Sequence, residues 1–125
     1  SGAQTALVQV LVGTDTLTVE PERPVAFAGG QGGFIDFMVN TLLFPPSAQR
    51  RGASGRFRIG FWVDEEGRVS NPKPLDADAE DLIAEGLRIV ALSDRQWVPA
   101  QYQGRPVKAY HVVPFTFNNM GVINR

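Results

Sequence analysis

The feature that constrains the fold most is a strict two-residue alternation between residues 56 and 63. Large apolar residues occupy every second position: Phe57, Ile59, Phe61 and Val63. This period places all four side chains on one face of a β-strand and turns the intervening residues to the other face. Residues 64–67 are typical of a tight hairpin turn, and Val69 begins a returning strand. The chain is therefore expected to contain an antiparallel sheet with one buried face.

Two segments have the spacing of amphipathic helices. Between residues 34 and 44 the apolar residues fall on neighbouring helical rows, and Pro45 and Pro46 are expected to end that helix. Asp78 is the expected N-cap of a second helix over residues 79–92, whose acidic first turn complements the helix dipole. Helices and antiparallel strands in this order predict an α+β fold.

A further long strand is predicted over residues 106–117. Pro114 lies inside it and cannot donate a ladder hydrogen bond, which predicts a position at a sheet edge or a bulge. An apolar edge strand invites pairing with another extended segment. The residues alone leave two alternatives open: this edge accepts a strand from a partner, or the N-terminal part of the chain covers it.

The N-terminal part has its own pattern. Residues 6–12 and 16–19 have the composition of two short strands or a hairpin. Pro21, Pro24 and the glycine-rich residues 29–33 follow, and this breaker region predicts a linker between an N-terminal arm and the main domain.

Composition and motifs exclude most chemistry. The chain of 125 residues fits one domain, and it has no cysteine for a disulfide, a thiolate nucleophile or a thiolate metal site. Twelve basic and thirteen acidic residues give a net charge of -1, so no overall positive field attracts nucleic acid. His111 is the one histidine and lacks a nucleophile or a second ligand at suitable spacing. No catalytic, cofactor or metal site is expected.

Membrane and export signals are also missing from the sequence. The longest apolar run, residues 107–117, is interrupted by Lys108, His111 and Pro114 and is far shorter than the roughly 20 residues that span a bilayer. Ser1 is not followed by the basic segment and apolar core of a signal peptide. We therefore expect the sequence to be either a mature product or an excised domain.

Several short motifs follow one another in a specific order along residues 25–118. The first half contains Phe27-Ala28-Gly29-Gly30, Phe44-Pro45 with Ala48, Gly52-x-x-Gly55-Arg56 and Phe61-x-Val63-Asp64-x-x-Gly67-x-Val69. The second half contains Leu82, Glu85-Gly86-Leu87-Arg88, Trp97-x-Pro99-Ala100, Gly104-Arg105-Pro106-Val107 and Val113-Pro114-Phe115-x-Phe117. Together they resemble the C-terminal domain of TonB energy transducers, particularly the form common in Bacteroidetes.

The resemblance implies the architecture of residues 25–118. In that family a three-stranded antiparallel sheet packs against two helices, which is an α+β fold. Residues 1–24 would add an N-terminal β arm, and residues 119–125 would form a C-terminal tail. Two positions depart from the family: Ala28 stands where Pro is usual, and Gly86 stands where Ala is usual. A glycine inside a helix is expected to cost about 1 kcal/mol.

The resemblance also implies a non-enzymatic function in the periplasm of a Gram-negative bacterium. Such domains bind the TonB box, an extended segment of outer-membrane TonB-dependent receptors, by pairing with the last strand. The expected contact residues in this chain are Lys108, Ala109, Tyr110, His111, Val112, Val113, Phe115 and Phe117, with Arg50 and Arg51 biasing which segment is accepted. In a full transducer an N-terminal membrane anchor couples the domain to the ExbB–ExbD motor, which powers import.

A second hypothesis keeps the fold and changes the function. The chain would then be a stand-alone periplasmic structural or assembly module, in which the N-terminal arm or another subunit pairs with the sheet edge. A homodimer is one form of this alternative. Neither hypothesis requires a cofactor, a metal or nucleic acid.

Overall fold

The structure of the protein, a computed structural model, describes residues 7–76, 79–118 and 121–122. Within these ranges the chain forms nine strands and three helices. The strands are β1 (Val8–Val12), β2 (Asp15–Val19), β3 (Ala26–Phe27), β4 (Gly55–Val63), β5 (Val69–Pro74), β6 (Trp97–Val98), β7 (Ala100–Tyr102), β8 (Arg105–Asn118) and β9 (Gly121–Val122). The helices are α1 (Gly30–Thr41), α2 (Pro46–Arg50) and α3 (Glu80–Leu92).

The main sheet is antiparallel and has the strand order β2-β1-β8-β4-β5. Its longest pairing joins β4 to β8, from Gly55 opposite Phe117 to Val63 opposite Ala109. The alternation in β4 is confirmed, because its four apolar side chains are almost fully buried. α3 packs on this face through Leu82, Ile89 and Val90, all of which are buried.

The hairpin between β4 and β5 forms as predicted. The Asp64 carboxylate accepts hydrogen bonds from the backbone N–H groups of Glu66 and Arg68, at 2.8 and 2.9 Å. Gly67 has a φ of 80°, and a side chain there would collide with the backbone carbonyl of Trp97. The turn therefore fixes β6 against the hairpin as well as reversing the chain.

The α+β class is confirmed, although the sheet is larger and there are three helices. The N-terminal hairpin of β1 and β2 belongs to the main sheet. Pro45 and Pro46 do not simply end α1, because Pro46 is the first residue of α2, where its missing N–H has no intrahelical partner to lose. Arg50 is the last residue of α2. The expected N-cap, Asp78, lies outside the described residues, and α3 begins at Glu80 after Ala79.

The predicted linker between arm and domain is a strap, residues 20–29 between β2 and α1, that is hydrogen-bonded to the β6–β7 segment. The Glu22 N–H donates to the Gln101 carbonyl at 2.8 Å, and the Gln101 N–H donates to the Arg23 carbonyl at 2.8 Å. Further along, β3 pairs with β6, with Phe27 opposite Trp97. The prolines of this region therefore lie on a fixed path rather than in a free connection. The glycines from Gly30 onward, expected in the linker, form the first turn of α1, and that helix ends at Thr41 rather than at residue 44.

The prediction that the last strand forms an edge of the sheet is wrong. β8 is an interior strand with β4 on one side and β1 on the other, and the edges are β2 and β5. β1 pairs with β8 through Val10 opposite Ala109 and Leu11 opposite Lys108. The side chain of Val10 is fully buried, so the hairpin contributes to the core. The arm thus pairs with the last strand, as the second hypothesis anticipated.

A partly buried ion pair connects the end of α1 to α3. Glu85 and Arg88 form two short hydrogen bonds, of 2.6 and 2.7 Å. The Glu85 carboxylate also accepts the N–H of Leu43 at 2.7 Å, and the Arg88 guanidinium donates to the Thr41 carbonyl at 2.8 Å. Backbone groups that a helix end leaves unpaired are satisfied in this way. The pair explains two residues of the Glu85-Gly86-Leu87-Arg88 motif.

Candidate partner-binding site

The side of β8 that faces away from β4 is only partly paired. β1 occupies it at Lys108 and Ala109, and β9 occupies it at Phe117 and Asn118. Between them, residues 110–116 pair with β4 alone, as far as the described strands extend. Among the described residues, this seven-residue open stretch of β8 has no ladder partner on one side, although residues 7–9 line a shared pocket with residues 110–112 at its first end.

The hydrogen bonds of β4 show which backbone groups face this opening. Arg58 directs both of its backbone groups toward β5, because its carbonyl accepts the Leu75 N–H and its N–H donates to the Asp76 carboxylate, each at 2.8 Å. Its partner in β8 is Pro114. In an antiparallel ladder this is a non-hydrogen-bonded pair, so the Pro114 carbonyl points away from β4. The backbone groups of Val112 and Thr116 point the same way, because direction alternates along a strand.

Pro114 therefore removes no hydrogen bond from the β4–β8 ladder. Its missing N–H faces the opening, where the described strands have no carbonyl to receive it. Pro114 thus has no ladder partner on one side among the described strands, as expected of an edge position, although β8 as a whole is an interior strand.

Side chains alternate between the two faces of β8. Ala109, Val113, Phe115 and Phe117 point into the core and are almost fully buried. Tyr110 lies on the opposite face, where its ring sits over Gly60 and meets Trp62 edge-on at a centroid distance of 5.4 Å. Any side chain at position 60 would collide with the Tyr110 hydroxyl.

An apolar pocket of about 330 Å³ adjoins the open stretch on its core side. Three parts of the chain enclose it: the strap with β3, the first half of α1 together with Trp97, and β8. The residues that line it are Val25, Ala26, Phe27, Gly30, Gln31, Phe34, Ile35, Trp97, His111, Val112, Val113 and Pro114.

Aromatic rings build one wall of this pocket. The Trp97 ring lies 5.1 Å from that of Phe27 and 5.6 Å from that of Phe34, measured between centroids. The Trp97 indole N–H donates to the Ser93 hydroxyl at 2.8 Å, which fixes the ring orientation. Gly33 brings α1 close to the strap, because a side chain there would collide with the Ala28 carbonyl.

His111 is the one ionisable residue in the pocket lining. Its ring packs edge-on against Trp97 at 5.1 Å and against Phe61 at 5.7 Å. Burial among these rings lowers the pKa of His111 to about 4, because the charged imidazolium loses its hydration there. The imidazole is therefore neutral at pH 7, and the pocket carries no charge.

The expected contact residues are divided by the structure. Tyr110, His111, Val112 and Val113 lie on the open stretch, as does Phe115, whose side chain is in the core. Lys108 and Ala109 lie beyond it and are paired with β1, and Phe117 is paired with β9.

The two arginines are also placed apart from the pocket. Arg50 ends α2, and the Arg51 guanidinium binds the Asp81 carboxylate of α3 at 2.8 Å. Neither side chain lines the pocket.

The residues of α1 and the strap that line the pocket were not among the expected contact residues. Phe34 and Ile35 belong to the apolar rows that predicted the helix, but these rows extend over more of its surface than one core face requires. Trp97 belongs to a family motif that carries no indication of its surroundings. The wide apolar surface of α1 was the one feature of the sequence that indicated a contact of this helix beyond its packing in the core.

Two further properties bear on function. In the described part of the chain, no three side chains of the types that bind metals lie close enough together to hold an ion. None of the helices described is both long and apolar enough to cross a membrane.

Comparison with known proteins identifies the family. The model for the family described as the Gram-negative bacterial TonB protein C-terminal matches residues 40–119. The match covers α2, α3, β4 and β8 with the open stretch, and it leaves out β1 and β2. A search of curated proteins found no significant match. Because the family model covers more than half of the sequence, the chain belongs to the TonB C-terminal domain family.

Proposed function

We propose that this domain binds an extended segment of outer-membrane TonB-dependent receptors by strand pairing along residues 110–116, and thereby supports energy-coupled import. The observation that carries the proposal is the open stretch of β8. Its outward N–H and carbonyl groups are those an added strand requires. Family membership supports the class of partner. The site would act in the periplasm, through backbone pairing rather than catalysis.

The proposed contact is shorter than the one we expected from the sequence, because Lys108, Ala109 and Phe117 are paired with β1 or β9. Val112, Pro114 and Thr116 would supply the outward backbone groups, and Tyr110 would flank the bound strand on the outer face. A membrane anchor upstream of this domain would link it to the ExbB–ExbD motor.

Titration of the chain with a TonB-box peptide tests the proposal. Saturating peptide should shift the amide NMR signals of residues 110–116 more than those of β5, which lies beyond β4. Unchanged signals in this stretch would contradict the proposal.

A pair of variants at Val112 separates backbone from side-chain effects. Val112→Pro removes an outward N–H without touching the β4 ladder, and loss of one hydrogen bond should weaken peptide binding roughly 5-fold. Val112→Ala keeps the N–H and should bind like the parent protein. Equal affinities of the two variants would argue against strand pairing.

The second candidate function is the stand-alone assembly module. The observation that favours it is the pairing of β1 with β8, with Val10 fully buried. Under this hypothesis, deletion of residues 1–19 uncovers β8 at Lys108 and promotes self-association, which sedimentation velocity would detect. Under the receptor-binding hypothesis the deletion leaves peptide binding in place.

A further inference from the structure

We propose that the apolar pocket between α1 and β8 is a side-chain subsite that selects one large apolar residue of the bound strand, at the position opposite Val113. The inference rests on the proposed strand pairing and adds a specificity that backbone pairing alone does not provide. The occupant is an aromatic or branched aliphatic side chain of the partner segment.

The direction of side chains in a sheet locates this position. Residues opposite each other on neighbouring strands project their side chains to the same face, with Cβ atoms about 4.5–5.5 Å apart. Val113 projects into the core and lines the pocket. A residue paired beside Val113 would therefore direct its side chain into the same space.

The neighbouring inward position is less accessible. Val8 of β1 and His111 of β8 line a common cavity on the hairpin side of the opening. A strand bound beside His111 would therefore contact the β1–β2 hairpin. Beside Val113, the described part of β1 has already ended. The subsite is continuous with the open backbone at this one inward position.

The lining selects for apolar chemistry. Phe27, Phe34 and Trp97 form an aromatic wall, and β8 adds Val113 and the neutral His111, whose ring packs against Trp97. A charged side chain would be buried here without a counter-charge, which is unfavourable by far more than one hydrogen bond contributes. A large apolar side chain would gain the free energy of leaving water.

A set of host peptides tests the subsite. Each peptide has seven residues, with threonine at six positions and Ala, Leu, Phe or Glu at the centre, and its affinity for the full chain is measured by calorimetry or NMR titration. The Phe peptide should bind about 10-fold more tightly than the Ala peptide, and the Glu peptide should bind most weakly.

Variants of α1 test whether the pocket causes the preference for the Phe peptide over the Ala peptide. Phe34→Ala should reduce the Phe-to-Ala preference to about 3-fold or less, because it removes part of the aromatic wall. Ile35→Ala, at the half-buried side of the same pocket, should also reduce it and serves if Phe34→Ala does not fold. Val39→Ala is the matched control, because Val39 is an exposed apolar residue of the same helix that does not line the pocket.

The outcomes separate this inference from the proposed function. Equal affinity of all four peptides, together with weaker binding to Val112→Pro, would overturn the subsite and leave strand pairing in place. A Phe preference that Phe34→Ala and Ile35→Ala do not change would also overturn the subsite. If neither these peptides nor TonB-box peptides bind, both proposals fall.

Discussion

Two aromatic clusters lie on the same face of the sheet and differ in how completely they are closed. In the first, the rings of Phe57, Phe115 and Phe117 are stacked 5.4–6.3 Å apart, and each is at most 2% exposed. In the second, Trp97 and its neighbours surround a pocket beside the open stretch of β8. The first cluster is built like the interior of any small domain, whereas the second leaves apolar space that a ligand can occupy.

The two halves of β8 therefore differ in how they are packed. The half near Phe117 packs into the stacked cluster, which Gly86 of α3 adjoins, and contributes mainly to stability. Near His111, the described strands leave one side of β8 without a ladder partner, and an apolar pocket adjoins it.

The largest expected effect is the loss of a ring from the closed cluster. Phe57→Ala should lower the free energy of unfolding by about 4 kcal/mol, because it leaves a cavity in a fully packed region. Phe34→Ala, in the open cluster, should cost about half as much, because its ring is only half-buried. Urea unfolding of both variants measures the difference, and equal losses would break the distinction between the clusters.

The next effect is a pH dependence that belongs to the open cluster. The pKa of His111 is about 4 in the folded protein and near 6.5 when unfolded, so the unfolded chain binds the proton more readily. The stability from neutral His111 is complete above pH 6.5 and declines as the pH falls toward 4. Lowering the pH from 7 to 5 should cost about 2 kcal/mol.

His111→Phe provides the control for this dependence. It keeps a ring in the cluster and should remove most of the loss between pH 7 and 5. The pKa of Asp76 is lowered by its hydrogen bonds with Arg58, and that of Asp81 by the Ser47 hydroxyl, so neither carboxyl gains its proton in this window. An unchanged pH profile in His111→Phe would contradict the assignment.

A smaller effect is expected at Gly86, which touches the closed cluster. A Cβ at this position would lie 2.8 Å from Cε2 of Phe57 and 2.9 Å from Cδ1 of Ile59. Alanine normally stabilises a helix interior by about 1 kcal/mol relative to glycine. Here the collision with a stacked ring outweighs that gain, and Gly86→Ala should destabilise the protein by about 1 kcal/mol in thermal unfolding. A stabilised variant would show that the closed cluster can shift.

The smallest effect is expected at Arg51, which lies outside both clusters. Its ion pair with Asp81 is exposed, and such pairs contribute little in water. Arg51→Ala should leave the melting temperature and the affinity for TonB-box peptides unchanged. A clear loss of affinity would restore the part in partner selection that the sequence suggested for Arg50 and Arg51.

Local patterns predicted the elements of the closed cluster well. The alternation through Phe57 and Ile59, the turn at Gly67 and the apolar face of α3 are each determined by neighbouring residues. The spacing of their apolar residues along the chain shows which face of each helix or strand is buried.

The open cluster could not be predicted in the same way. It is assembled from the strap, α1, Trp97 and β8, and pairings such as Val10 with Ala109 join residues about a hundred positions apart. Pro114 revealed a missing donor on one strand, but its sequence context could not show that β1 and β9 would flank the opening. The glycines near Gly33 look flexible in sequence, although close packing against Ala28 explains one of them.

The position of Pro114 also bears on aggregation. An open sheet side with an unbroken row of donors and acceptors is a template on which identical chains can stack in many registers. Pro114 interrupts the row of donors at the middle of the opening while keeping its carbonyl. Any strand that pairs across this position forms one hydrogen bond fewer there, whatever its register, so the proline discourages fibrous self-association.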